Sequence, residues 1–314
     1  MGASISSENG AKRQKVSNFQ LENIPDEIIL KVLNHLDIKH LLRCAQLCKR
    51  IYSICQDSSV YQHVNLSGYE SIPTKFVKFV LEKGCKHLIL RRTTFEGDLA
   101  LTRKSQLKSL DLYECEASEA SQQELLKSCH SLQKVTLKYF TDEIKTPFDN
   151  GMGGTIYVFH EALGDLGECL KLFSNARLVQ TICNQNALTL QTLHVSGAHI
   201  SFVKAIVDNC VHLRELNIVN SMIGEEELSC LVNNLTSKVE ILSFHHVDKL
   251  NDGHVDALVK RCSKLKVLDL RKTVTTKKSL RFIAQNLRSL EELHTSISCE
   301  LTDLHQLSLI PKLK

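Results

Sequence analysis

CSKLKVLDLRKTVTTKKSLRFIAQN, residues 262–286, carries two patterns in succession. Leu265, Leu268 and Leu270 form the phrase apolar-x-x-apolar-x-apolar, whose alternating centre is that of a short strand with one buried face. Lys277 to Asn286 then reads as an amphipathic helix. The phrase recurs at Leu107/Leu110/Leu112, Leu132/Val135/Leu137, Leu190/Leu193/Val195, Leu213/Leu216/Ile218 and Val239/Leu242/Phe244, and more weakly at Leu290/Leu293 with Thr295 in the last apolar slot. Marked by its middle residue, it steps through 110, 135, 193, 216, 242, 268 and 293. Every step is 23–26 residues except the one of 58 between Val135 and Leu193, where one repeat is degenerate or enlarged. Cys85 to Leu90 is an irregular first copy.

This period is that of leucine-rich repeats. Each apolar-x-apolar centre is a strand lining the concave side of a horseshoe. The following segments, Gln122–Ser128, Phe202–Asn209, Glu225–Leu231, His254–Arg261 and Lys277–Asn286, are helices on the outer side. One such unit cannot bury its apolar face alone, so the repeats stack into an α/β solenoid. The cysteines keep phase: Cys129, Cys210 and Cys262 each lie six residues before a marker, and Cys115 takes the N/C slot of the phrase. They read as small apolar fillers at the helix-to-strand turn.

Composition agrees. Of 314 residues, 43% are hydrophobic but only 5% aromatic, with 12 Cys and no Trp, as thin layers packed with aliphatic groups and thiols require. The net charge of +4 is too slight for a nucleic-acid binder. No apolar run is long enough for a membrane span. An N-terminus without an apolar stretch argues against secretion, and so the cysteines are expected as free thiols in a reducing compartment, the nucleus or cytoplasm.

Residues 1–18 are polar and read as a disordered tail. From residue 19 the pattern is helical. Pro25 suits the first position of a helix, followed by Asp26 and Glu27 in the first turn. Ile28, Ile29, Val32, Leu33 and Leu36 then mark one face. Asp37 caps a second helix with Leu41, Leu42, Ala45 and Cys48 inward. A third runs from about Lys49 to Gln56, and Asp57-Ser58-Ser59 caps a last turn with Val60 and Tyr61. So few short helices make a core that gains stability from a partner.

Residues 21–66 resemble the F-box family. The resemblance rests on Ile24-Pro25-Asp26-Glu27, on Leu41-Leu42 after Asp37, and on Cys48-Lys49-Arg50. Ile51-Tyr52 and Val60-Tyr61 depart from the Trp-containing family pattern but keep bulk. An F-box (19–66) followed by repeats of the cysteine-containing class (67–314) is the plan of F-box/leucine-rich-repeat proteins. Leu250-Asn251-Asp252-Gly253 and Leu301-Thr302-Asp303 are similar to the segment that follows the strand in that class. The resemblance implies a non-catalytic substrate receptor of an SCF-type ubiquitin ligase, acting towards proteasomal degradation through proximity and orientation. It implies a Skp-type adaptor bound through Ile24, Pro25, Ile28, Leu41, Leu42 and Ile51, with a cullin and a RING subunit reached through the adaptor. It implies no cofactor. The alternative is a leucine-rich-repeat scaffold or inhibitor that assembles no ligase.

Alternation along each strand turns the residues flanking the markers outward on the concave face. Those expected to meet a protein substrate are Asp111, Tyr113, Lys138, His194, Asn217, Ser243, His245, Asp269, Arg271 and His294. The surface is polar and mixed in sign, and its histidines offer a route to pH-sensitive recognition. Pro147 and the glycines of Thr146–Gly154 mark a loop that interrupts the array. Cys85-x-His87 and Cys210-x-His212 lack an accompanying C-x-x-C, so they read as packing rather than zinc ligands. No Walker A motif, dinucleotide-binding glycine pattern or nucleophile elbow is present. In the tail, Met1-Gly2-Ala3-Ser4-Ile5-Ser6 fits a myristoylation pattern at Gly2, the one route considered to a membrane. Lys12-Arg13-Gln14-Lys15 is similar to a short nuclear import signal.

Overall fold

The computed structural model describes residues 23–97, 99–101, 103–138, 148–149, 155–156, 177–196, 202–221, 223–298 and 300–314. The tail with Gly2 and Lys12–Lys15 lies outside them. The chain divides into two compact units, Met1–Val60 and Tyr61–Lys314.

The first unit holds α1 (Asp26–Leu33), α2 (Ile38–Cys44) and α3 (Lys49–Ile54). Pro25 sits one residue earlier than expected, at the N-cap of α1, and Asp26 and Glu27 fill the first turn. Asp37 caps α2, its carboxylate accepting the His40 amide at 2.8 Å. Ile29, Leu33, Ile38, Leu41, Ile51, Ile54 and Cys55 are buried. The buried stripe is narrower than the sequence suggested. Ile28 and Val32, read as part of the inner face of α1, are 47% and 58% exposed. On the second helix Leu42 is likewise exposed; Cys48, expected on that helix, lies beyond its end at Cys44, as the exposed N-cap of α3. A helix of two turns presents only about one buried residue per turn to a core this small, and the neighbouring apolar positions are left outside.

The second unit is built on one parallel sheet. Its nine strands, in spatial order, are β1 (His63–Asn65), β2 (His87–Ile89), β4 (Ser109–Tyr113), β6 (Lys134–Lys138), β9 (Thr192–Ser196), β10 (Glu215–Val219), β11 (Ile241–Ser243), β12 (Val267–Leu270) and β13 (Glu292–Thr295). Apart from short additional pairs, spatial order is chain order, because each strand pairs with its counterpart one repeat away. Val64, Leu88, Leu110, Val135, Leu193, Leu216, Leu242, Leu268 and Leu293 stand in register as a single apolar row. Seven of the nine, Leu88 through Leu268, have no exposed surface.

Helices alternate with these strands: α4 (Thr74–Glu82), α5 (Glu119–Lys127), α6 (described over 177–185), α7 (Val203–Asn209), α8 (Glu225–Asn234), α9 (Asp252–Arg261), α10 (Lys277–Asn286) and α11 (Leu301–Leu307). The 58-residue step is one enlarged repeat, since β6 pairs directly with β9, Val135 beside Leu193. β3 (Thr94–Phe95) and β5 (Glu116–Ala117) form a separate parallel pair. Within the stretch read as a loop, β7 (Phe148–Asp149) pairs antiparallel with β8 (Thr155–Ile156), and the remaining residues of Thr146–Gly154 lie outside the described ones. β1, placed by sequence in the first domain, belongs to the sheet because it pairs with β2.

Four residues past Leu88, Leu110, Leu216, Leu242 and Leu268 the backbone turns left-handed. Arg92, Glu114, Asn220, His246 and Lys272 have φ of 52°, 53°, 50°, 60° and 53°. This bend takes the chain off the sheet so that the outer segment can return. The cysteines sit at the opposite bend. Cys210 and Cys262 are the C-caps of α7 and α9, and Cys129 follows α5; all three are buried. The Cys129 thiol donates to the Leu125 carbonyl at 3.2 Å. Burial pushes the Cys129 and Cys262 thiols up to about 11 and Cys85 to about 12, so they are held neutral.

Candidate functional site

The sequence marked two faces for partners. On the helical unit, Pro25, Ile28 and Leu42 are exposed and Ile24 is half-buried. Leu41 and Ile51 are 1% and 3% exposed and serve the unit's own core, so a partner meets them only through rearrangement. Exposed apolar residues that the sequence reading did not select stand on the same unit: Val32, Leu47 at 70% and Tyr52 at 55%. Ile28 and Val32 are one helical turn apart on α1 and share a face. Arg50, from the Cys48-Lys49-Arg50 motif, ties α3 to the start of α1. Its Nε donates to Asp26 Oδ1 at 2.8 Å, and Nη2 reaches the Ile24 carbonyl.

On the sheet, the face opposite the apolar row carries the predicted substrate residues. Asp111, Thr136, His194, Asn217, Ser243, Asp269 and His294 form one register row across seven strands. Six of them are predicted residues; Thr136 completes the row. Tyr113 pairs with Lys138 two residues further on, where the Lys138 side chain is outside the description. His245 and Arg271 lie two residues beyond Ser243 and Asp269.

This row is not a set of free side chains. Asp269 is buried, with Arg271 donating through Nε at 3.0 Å and Nη2 at 2.7 Å and through its backbone amide at 3.1 Å. Burial acts to raise the Asp269 pKa, but these bonds prevail and it falls below the usual carboxylate value. Asp111 is held in the same way from the neighbouring repeat, by Arg91 Nε at 2.7 Å, and Arg91 also lies over the Tyr113 ring at 5.8 Å. His194 Nε2 is 2.7 Å from Glu215 Oε1, and this bond holds Glu215 below its ordinary pKa. Burial lowers the His245 pKa, so it is neutral at pH 7. Among the described residues the buried Asn217 Oδ1 has no hydrogen-bond partner. The middle of the face is thus a layer of fixed ion pairs with arginine and histidine edges outward. Arg91 escaped the sequence reading because its partner is 20 residues away, although both stand beside repeat phrases.

A helical unit of this motif set, followed by repeats stacked on one parallel sheet, is the layout expected of F-box/leucine-rich-repeat proteins. Residues 21–67 match the family model described as F-box-like. The chain is 26% identical over 291 residues to F-box/LRR-repeat protein 4 of Bos taurus, an alignment covering 90% of this chain and 43% of that protein. The chain therefore spans less than half the length of this curated relative. Among solved structures it is similar to an internalin of Listeria monocytogenes, with 14% identity and a TM-score of 0.41, covering 80% of this chain and 57% of the other. The F-box match and this relative together support the resemblance to F-box/leucine-rich-repeat proteins.

Proposed function

We propose that this chain is the substrate-receiving subunit of an SCF-type ubiquitin ligase, docking a Skp-type adaptor through the helical unit and a protein substrate through the open face of the sheet. The observation that carries the reading is the set of exposed apolar residues on a unit matched as F-box-like: Ile28, Val32, Leu42, Leu47 and Tyr52. A core this small does not afford so much exposed apolar surface unless a partner covers it. The cullin and RING subunit would be reached through the adaptor, and the chain would contribute orientation rather than a chemical group.

Co-purification with a Skp-type adaptor tests this. The intact chain is expected to capture the adaptor and, through it, a cullin. Ile28→Asp with Val32→Asp is expected to abolish capture, while both side chains lie outside the unit's core. Capture unaffected by this pair would overturn the assigned dock. Adaptor capture without cullin recruitment would favour the scaffold or inhibitor.

A further inference from the structure

On the strand-entry rim of the sheet the charges separate by sign. The register row ahead of the markers runs His63, His87, Ser109, Lys134, Thr192, Glu215, Ile241, Val267, Glu292. One residue earlier, the carbonyls of Gln62, Lys86, Lys108, Gln133, Gln191, Arg214, Glu240 and Lys266 each accept two amides from the next repeat, forming a second rung. Towards β13 this rim neutralises itself: Glu240 pairs with Lys266 at 2.6 Å and with Arg214 at 3.2 Å. From β1 to β6 it does not. His63, Lys86, His87, Lys108 and Lys134 lie in or one residue ahead of four successive strands; none forms an ion pair among the described residues, although Lys134, at the end of the run, is near enough to Glu215 to help lower that carboxylate's pKa. Lys86 Nζ reaches only a neutral acceptor, Gln62 Oε1 at 3.3 Å. The His63 and His87 rings stack face to face, 4.4 Å between centroids. Burial first, then the charges of His63, Lys108 and Lys86, depress the His87 pKa, so the groups are close enough to repel.

We infer that this rim, over β1, β2, β4 and β6, binds an extended Asp/Glu-rich segment of a protein partner. The inference rests on the substrate-receptor reading and names the chemistry that the receptor would select. Three points choose this occupant. Uncompensated cations on a folded surface are a standing repulsion that a polyanion relieves. Four strands at about 4.8 Å spacing spread the charge over about 14 Å, which four or five residues of extended chain would span. The cations are lysines, point charges suited to successive carboxylates, and the rim lacks the arginine forks that favour a single phosphate. Ser109, Gln133 and Thr192 lie between or beside them, and no Phe, Tyr or Trp stands in these rim positions to stack on nucleic-acid bases; the His63 and His87 rings are already stacked on each other.

Fluorescence anisotropy of a labelled eight-residue polyglutamate peptide with the full chain tests the inference. Saturable binding is expected, weakening as salt rises and far exceeding that of a polyglutamine peptide of equal length. Lys108→Glu with Lys134→Glu is expected to weaken binding at least tenfold, and Lys278→Glu on α10 to leave it unchanged. Absence of polyglutamate binding, or equal loss with Lys278→Glu, would overturn the assignment. So would tighter binding of a singly phosphorylated neutral peptide or of an eight-nucleotide single strand. Adaptor capture by the Lys108/Lys134 variant separates the two readings. Capture retained with peptide binding lost supports both the rim and the dock. Capture retained by a wild-type chain that binds no polyglutamate removes the rim alone.

Discussion

Asp252, in the first turn of α9, caps the helix of the next repeat through Thr276. Its Oδ1 accepts the Thr276 amide at 2.8 Å and its Oδ2 the Thr276 hydroxyl at 2.6 Å. The Ser279 hydroxyl, which has no exposed surface, donates to the same carboxylate. Burial acts to raise the Asp252 pKa, but these donors outweigh it and hold the carboxylate below its usual value. One side chain therefore serves two repeats. Asp252→Ala would leave a buried hydroxyl and a helix-start amide without their acceptor, a loss of about 2 kcal/mol. Urea unfolding is expected to show a lower midpoint with an unchanged slope. An unaltered midpoint would mean that water replaces the carboxylate at no cost.

The left-handed bend gives a prediction of opposite sign. Lys272 holds φ of 53° and donates its amide to Ser296 Oγ at 3.1 Å. At the equivalent place Asn220 adopts φ of 50°, and asparagine tolerates this region better than lysine does. Lys272→Asn is expected to stabilise the chain by about 0.5 kcal/mol, and Lys272→Val to destabilise it by about 1–2 kcal/mol, since a β-branched residue is the least suited to the region. Thermal unfolding of the two variants should bracket the parent, and the reverse order would refute the strain argument.

Cysteine reactivity should divide by position. Among the described cysteines Cys48 is exposed, whereas Cys85, Cys129 and Cys262 are buried with thiols pushed up to about 12, 11 and 11. Since the thiolate is the reactive form, alkylation of the native chain at pH 8 is expected to mark Cys48 first and these three only on unfolding. Peptide mass spectrometry over a time course reads this directly. Rapid labelling of Cys129 or Cys262 would show that the repeat turns open in the native state.

Much of this fold was legible because its information is local and repeated. The markers from Leu110 to Leu293 fall on one register row, and the helix Lys277–Asn286 has the limits its sequence suggested. A short phrase with a fixed period fixes strand, face and neighbour together. What failed to read was set by tertiary context. The apolar residues of α1 do not say which will be covered, and Ile28 and Val32 lie outside while Ile29 and Leu33 lie inside. Leu41 and Ile51 carry the motif yet close the core. The charge pattern of the sheet depends on residues one repeat apart, as with Arg91 and Asp111, or on strands brought together across the enlarged repeat, as with Lys134 and Thr192. Linear sequence therefore showed a mixed surface, where the fold sorts a cationic rim from self-neutralised rows.

The acid limit of stability should carry the mark of Asp269. Its pKa is lowered in the folded chain, so its contribution is present in full above the unfolded carboxylate value of 3.8 and is lost as pH falls through the lower folded value. The partner guanidinium is half exposed, which screens the pair and keeps the effect near 1 kcal/mol. Asp269→Asn retains the shape and removes the charge. It is expected to unfold at lower urea concentration than the parent at pH 7, with the gap closing below pH 3.8. His194 and Glu215 act in the same acid window from the Glu215 side, since that carboxylate is also lowered. The double variant Asp269→Asn with Glu215→Gln should therefore flatten the acid limb further. A gap between parent and Asp269→Asn that persists undiminished below pH 3 would show that Asp269 acts through shape and hydrogen bonding rather than through its charge.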